Sequence, residues 1–410
     1  MHILLADSLP AETVTELESR GHRCVSEPGL SAGDLASRID GVDVLVVRST
    51  RVGADVFEAA DRLALVIRAG AGTNTIDTDA AAARGVLVAN VPGRNAAAVA
   101  ELTLGLLLAV DRRIPDNVAD LRAGRWDKKG YGKASGLLGS SLGIIGLGSI
   151  GLLVAERAAS FGIRLHSLSK PGRDEQTLAR IEALGITLHD SLRDLLAACD
   201  AVSLHVPASE GTTGLVDKDF LAAMRPGAIL LNTSRGDVVD EDALLEALDA
   251  GAVRAGLDVY ADEPTSGTGE WRSPVAQHPR VVGTHHIGAS TEQAQRAVAD
   301  GVVEIVDAFA AGEARNSVNL APSRLGSATL TVRHLDRVGV LARVLDLLSE
   351  AGLNVEHMEN RVFRGGVAAV ATIDVAGTTR PEVPADLLDG LLRDLDAMPE
   401  VLGASAAELP

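Results

Sequence analysis

The chain has 410 residues, a formal net charge of -18 and 46% hydrophobic residues, of which few are aromatic (2% of the chain). That length implies two or three domains, with cores resting on Ala, Val, Leu and Ile. Such acidity argues against a nucleic-acid partner, no apolar run reaches the ~20 residues of a membrane span, and "MHILLAD" lacks the regions of a signal peptide, so a cytoplasmic protein is expected.

From the start, short apolar runs alternate with helical patterns. "ILLA" (3–6), "DVLVV" (43–47), "LALVI" (63–67) and "VLVAN" (86–90) read as buried parallel strands, with helices such as 11–20 and 53–60 between them. Near Asn95 an Ala- and Leu-rich helix begins and runs to about 113, followed by a loop to Ser140. A second α/β series opens with "SLGIIGLGSIG" (141–151) and continues through "RLHSL", "AVSLH", "AILLN", "AGLDV" and "RVVGTHH" (280–286). A helix from Thr291 leads to "NLAPSRLGS" (319–327), which has the composition of a linker. The tail then reads βαββαβ: strand 328–334, amphipathic helix 338–352, a hairpin turning at Arg364-Gly365, helix 385–398 and strand 401–409. That order describes a ferredoxin-like domain. Cys24 and Cys199 lie in apolar stretches and read as core thiols, with no disulfide framework and no metal pair.

"GLGSIG" places Gly146, Gly148 and Gly151 in GxGxxG spacing between a strand and a helix. The first glycine permits the tight turn, the second lets backbone approach a pyrophosphate, and the third lets helix pack on strand. Free N–H groups at the helix start, those of Ser149 and Ile150, suit an anion. An acidic residue is expected about 20 residues on, to hold the ribose of NAD. Here "HSLSKPGR" puts Ser169 at that place, with Lys170 and Arg173 after it. Loss of the carboxylate and gain of two cations favour the 2′-phosphate of NADP over NAD.

"LGIIGLGSIG", "NTSRGDVVDEDALLEAL", "GLDVYADEP", "HHIGASTEQAQ", "IRAGAGTNTID" and "VPGRNAAAVAELTLGLLL" together resemble the D-isomer-specific 2-hydroxyacid dehydrogenases, most of all the branch acting on D-3-phosphoglycerate in serine biosynthesis. The resemblance implies a flavodoxin-like substrate domain (1–95 and 286–318), a Rossmann nucleotide domain inserted within it (96–285) and a C-terminal ACT regulatory domain (326–410). It implies an NAD(P)-dependent reaction on a small phosphorylated 2-hydroxy acid, and a homodimer or homotetramer. It carries the catalytic set to Arg235, Glu263 and His286. Imidazole titrates near neutrality and suits a proton acceptor, a neighbouring carboxylate orients it, and a guanidinium grips a substrate carboxylate. Further cofactor contacts fall at Val206, Pro207, Thr233, Ser234, Asp258, Gly288 and Ala289. Substrate contacts fall on the loop Ala69, Gly70, Ala71 and Gly72, on Asn95, and on Arg48 and Arg51 for a phosphate.

The chain departs from the family pattern at His285, where proline is usual. In the tail, His334, Asp336 and Asn354 stand at positions that bind serine in relatives, with Asp336 replacing an Asn, and Val338 replaces a proline. An amino-acid effector, serine foremost, is therefore expected there. Two alternatives stay open: an NADPH-dependent glyoxylate or hydroxypyruvate reductase, and a dinucleotide-sensing corepressor-like protein without catalysis.

Overall fold

The computed structural model describes residues 1–264, 268–321, 326–377 and 382–409. Residues 322–325 of the expected linker lie outside this set. The chain divides into two compact units, Met1–Asn319 and Leu320–Pro410.

The first unit contains two parallel sheets. The N-terminal one has strands β1 (His2–Leu5), β2 (Arg23–Ser26), β3 (Val44–Val47), β4 (Leu65–Arg68) and β5 (Leu87–Asn90), in the order β2-β1-β3-β4-β5. The central strands are continuous apolar runs because helices cover both faces; all four residues of β3 are buried. The helix Glu292–Ala310 returns to this sheet and packs Val302, Ile305 and Val306 against Ile3, Val46 and Ile67.

The other sheet holds β6 (Ser141–Ile145), β7 (Arg164–Leu168), β8 (Thr187–His189), β9 (Ala201–Leu204), β10 (Ala228–Asn232), β11 (Val253–Leu257) and β12 (Val281–Gly283). Their order, β12-β11-β10-β9-β6-β7-β8, reverses direction beside β6. Such a switch point opens a crevice at the carboxyl ends of the strands. The helix Ala96–Arg112 packs Leu104, Leu107 and Val110 on this sheet beside Leu142 and Ile144. Aspartates and hydroxyls cap several helices: the Asp240 side chain accepts the Ala243 N–H and Thr291 accepts that of Ala294, satisfying donors that helix starts leave free.

Two strands lay outside the sequence reading, β2 ("RCVS") and β8 ("TLH"). Both are short edge strands with partly exposed residues, so neither shows a continuous apolar run.

The second unit is an antiparallel sheet of β13 (Ala328–Leu335), β14 (Leu353–Val362), β15 (Ala368–Gly377) and β16 (Val401–Glu408), ordered β14-β15-β13-β16. Helices Val340–Glu350 and Ala385–Asp396 place Val344, Leu348, Leu388, Leu391 and Leu395 against Leu330, Val332 and Ile373. The expected βαββαβ order is present.

Candidate active site

The glycine-rich turn joins β6 to the helix Ser149–Ala159. Gly146 adopts φ 101, and a Cβ there would overlap the carbonyl of His205 at the end of β9. A Cβ on Gly151 would overlap the Gly146 carbonyl. Nothing lies within 4 Å of a Cβ built on Gly148, the residue that caps the helix without a side-chain bond. The first and third glycines thus let the chain close on itself, while the second leaves its backbone and the N–H groups of Ser149 and Ile150 facing open space. This cradle fits the pyrophosphate of a dinucleotide.

At the end of β7, Ser169 is exposed and its N–H donates to the His189 carbonyl at 2.7 Å. Lys170 is exposed as well, and Arg173 folds back so that Nη2 donates to the Leu168 carbonyl at 2.7 Å. The residue at the end of β7, where the motif calls for a carboxylate, is Ser169. Val206 and Pro207 follow His205, whose ring bonds Ser203 Oγ at 2.8 Å and leaves a buried Nδ1 without a partner. Burial pushes this imidazole down to about 4.

Across the crevice, His286 Nδ1 lies 2.6 Å from Glu263 Oε2. A carboxylate only accepts, so the bond places the proton on Nδ1 and leaves Nε2 as the free base. The second oxygen of Glu263 accepts the Tyr260 N–H at 2.8 Å. Burial would raise the Glu263 carboxyl, but the bonds from His286 and Tyr260 and the charges of His286 and Arg235 hold it below the usual carboxylate range.

His286 has φ 51, in the left-handed region. Asp258, only 1% exposed, holds this turn. Its Oδ1 accepts Thr284 Oγ1 at 2.6 Å and the Ile287 N–H at 2.8 Å, and its Oδ2 accepts the Gly288 N–H at 2.8 Å. Asp258 was expected beside the cofactor; the bonds it makes instead fix the turn that carries His286. Gly288 is buried and Ala289 half-buried at the same turn.

Arg235 follows the buried pair Thr233 and Ser234 at the end of β10. Asn232 shapes the turn: Oδ1 accepts Ser234 N–H and Oγ, and Nδ2 donates to the Arg235 carbonyl at 2.8 Å. Thr233 Oγ1 lies 2.9 Å from Thr103 Oγ1 and ties the turn to the helix Ala96–Arg112. The guanidinium then reaches the 69–72 loop, where a Cβ on Gly72 would overlap its Nη2. Asn95, the N-cap of that helix, leaves a buried Oδ1 unpartnered.

Of the two arginines expected for a phosphate, Arg48 is half-buried and Arg51 exposed. A third, missed in the sequence, stands closer to the loop. Arg68 ends β4, its guanidinium occupies the space a Cβ on Gly70 would need, and its buried Nε has no partner. Burial and the charges of Arg235 and Arg48, against the pull of Asp7, hold it down at about 10. The Asp7 carboxylate meanwhile accepts the N–H groups of Arg48, Ser49 and Thr50 at 2.6–3.0 Å and shapes that loop. The sequence hints were a charged residue closing an otherwise apolar strand and its place next to the glycine loop in "IRAGAGTNTID".

In the second unit, His334 is 1% exposed, with Nδ1 2.9 Å from the Leu335 carbonyl and Nε2 3.2 Å from Asn360 Oδ1. Both partners accept, so a neutral ring donates to one of them, and either way the ring is held within the domain. Asn354 is exposed and donates to Glu356 Oε1 at 2.8 Å; Asp336 is exposed too. Cys24 and Cys199 are free thiols, and burial pushes Cys199 up to about 12. Among the described residues no cluster of three or more potential ligands could hold a metal, and no helix is long and apolar enough to cross a membrane.

Residues 104–288 match the model of the D-isomer specific 2-hydroxyacid dehydrogenase NAD binding domain, and residues 328–387 match the ACT domain. A D-3-phosphoglycerate dehydrogenase of Methanocaldococcus jannaschii is 40% identical over 78% of this chain, which spans 59% of that relative's length. One from Mycobacterium tuberculosis strain H37Rv is 40% identical over 90% of this chain and 67% of its own. Among solved structures, an NADPH-dependent glyoxylate/hydroxypyruvate reductase from Sinorhizobium meliloti, in complex with citrate, is 31% identical with a TM-score of 0.67, covering 77% of this chain and 97% of that one. The glycine cradle, the Glu263–His286 pair, Arg235 and these likenesses agree: the chain belongs to the D-isomer specific 2-hydroxyacid dehydrogenase family.

Proposed function

We propose that the chain is a D-3-phosphoglycerate dehydrogenase, acting reversibly at the first step of serine biosynthesis. The observation that carries this reading is the grouping of Arg48 and Arg68 with Arg235 at the 69–72 loop. A substrate with a single carboxylate needs one guanidinium and the loop amides. Two further cations, both half-buried, suit a substrate that brings a second anion, and charge-assisted bonds to it are each worth about 1.5–3 kcal/mol. The 40% identity to a D-3-phosphoglycerate dehydrogenase over 90% of this chain supports the same substrate.

In this reading Arg235 and the N–H groups of residues 69–72 hold the substrate carboxylate, with Asn95 beside them. Arg48 and Arg68 hold the phosphate, with Arg51 at the rim. His286 accepts the hydroxyl proton at Nε2, and Glu263 stabilises the resulting imidazolium. The nicotinamide cofactor, cradled by Gly146, Gly148 and Gly151, supplies the hydride acceptor. Such a bonded acid–base pair beside a guanidinium favours an enzyme over a dinucleotide sensor.

The cofactor is proposed to be NADP before NAD. Ser169 offers no carboxylate to repel a 2′-phosphate, and Lys170 and Arg173 flank it. This same loop is what favours the reductase alternative. Steady-state rates with both cofactors against 3-phosphoglycerate, phosphohydroxypyruvate, hydroxypyruvate and glyoxylate decide the matter. A kcat/KM highest for the phosphorylated pair supports the proposal; one highest for glyoxylate overturns it.

The ACT unit is proposed to bind an amino acid, serine foremost, through Asp336 and Asn354, with His334 buttressing from within. A homodimer or homotetramer is also proposed, and sedimentation velocity of the full chain tests it.

A further inference from the structure

Glu263 stands at the end of a segment, Tyr260–Glu263, that has no helix or strand of its own. Two side chains from elsewhere hold its backbone. Glu241, in the first turn of the helix Glu241–Asp249, accepts the Ala261 N–H at 2.9 Å through Oε1. Trp271 donates its indole N–H to the Asp262 carbonyl at 2.8 Å. The Trp271 ring also meets the Tyr260 ring edge-on, with centroids 4.9 Å apart. Tyr260 in turn gives its N–H to Glu263 and lies so close to Gly236 that a Cβ there would overlap the Tyr260 carbonyl. The segment is thus clamped at successive residues, and its near end is pressed against the neighbour of Arg235.

We propose that Glu241 and Trp271 are positioning residues, which fix the Glu263 carboxylate at the distance and angle that let it hold His286. The inference rests on the dehydrogenase reading given above. The physical reason is that a bond of 2.6 Å to a ring is lost with a small backbone shift, and a misplacement of about 1 Å in such a site can cost about 100-fold in rate. Two bonds from side chains outside the segment, with the Trp271–Tyr260 ring contact beside them, stand in for the secondary structure that the segment lacks.

The test uses the full-length protein and four variants. Glu241→Gln keeps an oxygen acceptor for Ala261, Glu241→Ala removes it, Trp271→Phe keeps the ring on Tyr260 but loses the N–H, and Glu263→Gln removes the carboxylate itself. The readouts are the pH profile of kcat/KM for hydroxy-acid oxidation and the cofactor Kd by fluorescence. Without its carboxylate the imidazolium loses proton affinity, so the acid limb moves to lower pH. Glu241→Ala and Trp271→Phe are expected to show that movement with a loss of about 10-fold or more in kcat, an unchanged cofactor Kd, and near-complete retention in Glu241→Gln. An unmoved acid limb in Glu241→Ala and Trp271→Phe, with a moved one in Glu263→Gln, overturns this proposal alone. A normal profile in Glu263→Gln overturns both it and the role given to the Glu263–His286 pair.

Discussion

The guanidinium of Arg235 lies directly over the backbone of Gly72, with no room between them for a methyl group. Two loops from different sheets meet at this point, and any side chain larger than hydrogen at residue 72 requires the Arg235 guanidinium to move. Gly72→Ala is expected to push the guanidinium out of line and lower kcat/KM by about 10- to 100-fold, the cost of misplacing a group by a fraction of an ångström to an ångström. Cofactor affinity is expected to hold, because the cradle at Gly146–Gly151 is elsewhere. Parallel measurement of kcat/KM and cofactor Kd checks both parts.

His286→Ala removes the proposed proton acceptor and is expected to lower kcat by about 100- to 10,000-fold with the fold intact. Turnover near that of the unaltered enzyme would end the assignment. Circular dichroism beside the rate measurement separates lost chemistry from lost structure.

Cofactor preference is read from the ratio of kcat/KM for NADP and NAD. The unaltered enzyme is expected to favour NADP. Ser169→Asp restores a ribose acceptor and a charge that repels the 2′-phosphate, shifting the ratio toward NAD by about 10-fold or more. A strong initial preference for NAD would refute the argument from Lys170 and Arg173.

His205 makes stability depend on acidity. Its folded value, about 4, lies below the ordinary imidazole value of 6.5. The unfolded chain therefore takes up the proton first as pH falls. The contribution is full above about pH 6.5 and is lost as pH falls toward 4. Urea midpoints are expected to drop between pH 7 and pH 4.5, and the drop is expected to shrink in His205→Asn. Equal slopes in the two proteins would contradict this.

Calorimetry of the full chain with serine tests the ACT unit. Heat of binding that disappears in Asn354→Ala is expected. If neither serine nor another amino acid binds or changes activity, the unit has no effector and acts in assembly.

Much of this was legible because burial leaves a pattern. The strands β3, β4, β6 and β10 are covered on both faces and read as apolar runs, and the glycine cradle is a local motif whose spacing carries its geometry. The tail was legible because Val344, Leu348, Leu388, Leu391 and Leu395 repeat at helical intervals. The role of Arg68 was not legible: in sequence it closes an apolar strand next to the glycine loop, and only the fold brings it to Arg48 and Arg235. Nor was the anchoring task of Asp258, whose three bonds all reach residues 284–288. The edge strands β2 and β8 escaped because partial exposure removes the periodic signal.

The backbone of His286 has a further consequence. A non-glycine residue with φ 51 sits in a region that costs about 1–2 kcal/mol for a residue bearing a Cβ. Glycine at this position would relieve that cost and abolish the base. Selection for thermal tolerance alone would therefore drift toward His286→Gly, and selection for the proposed dehydrogenase activity would drive it back. The two pressures oppose each other at a single codon, so a screen run under both reports directly on how much stability this chain gives up to hold His286 in place.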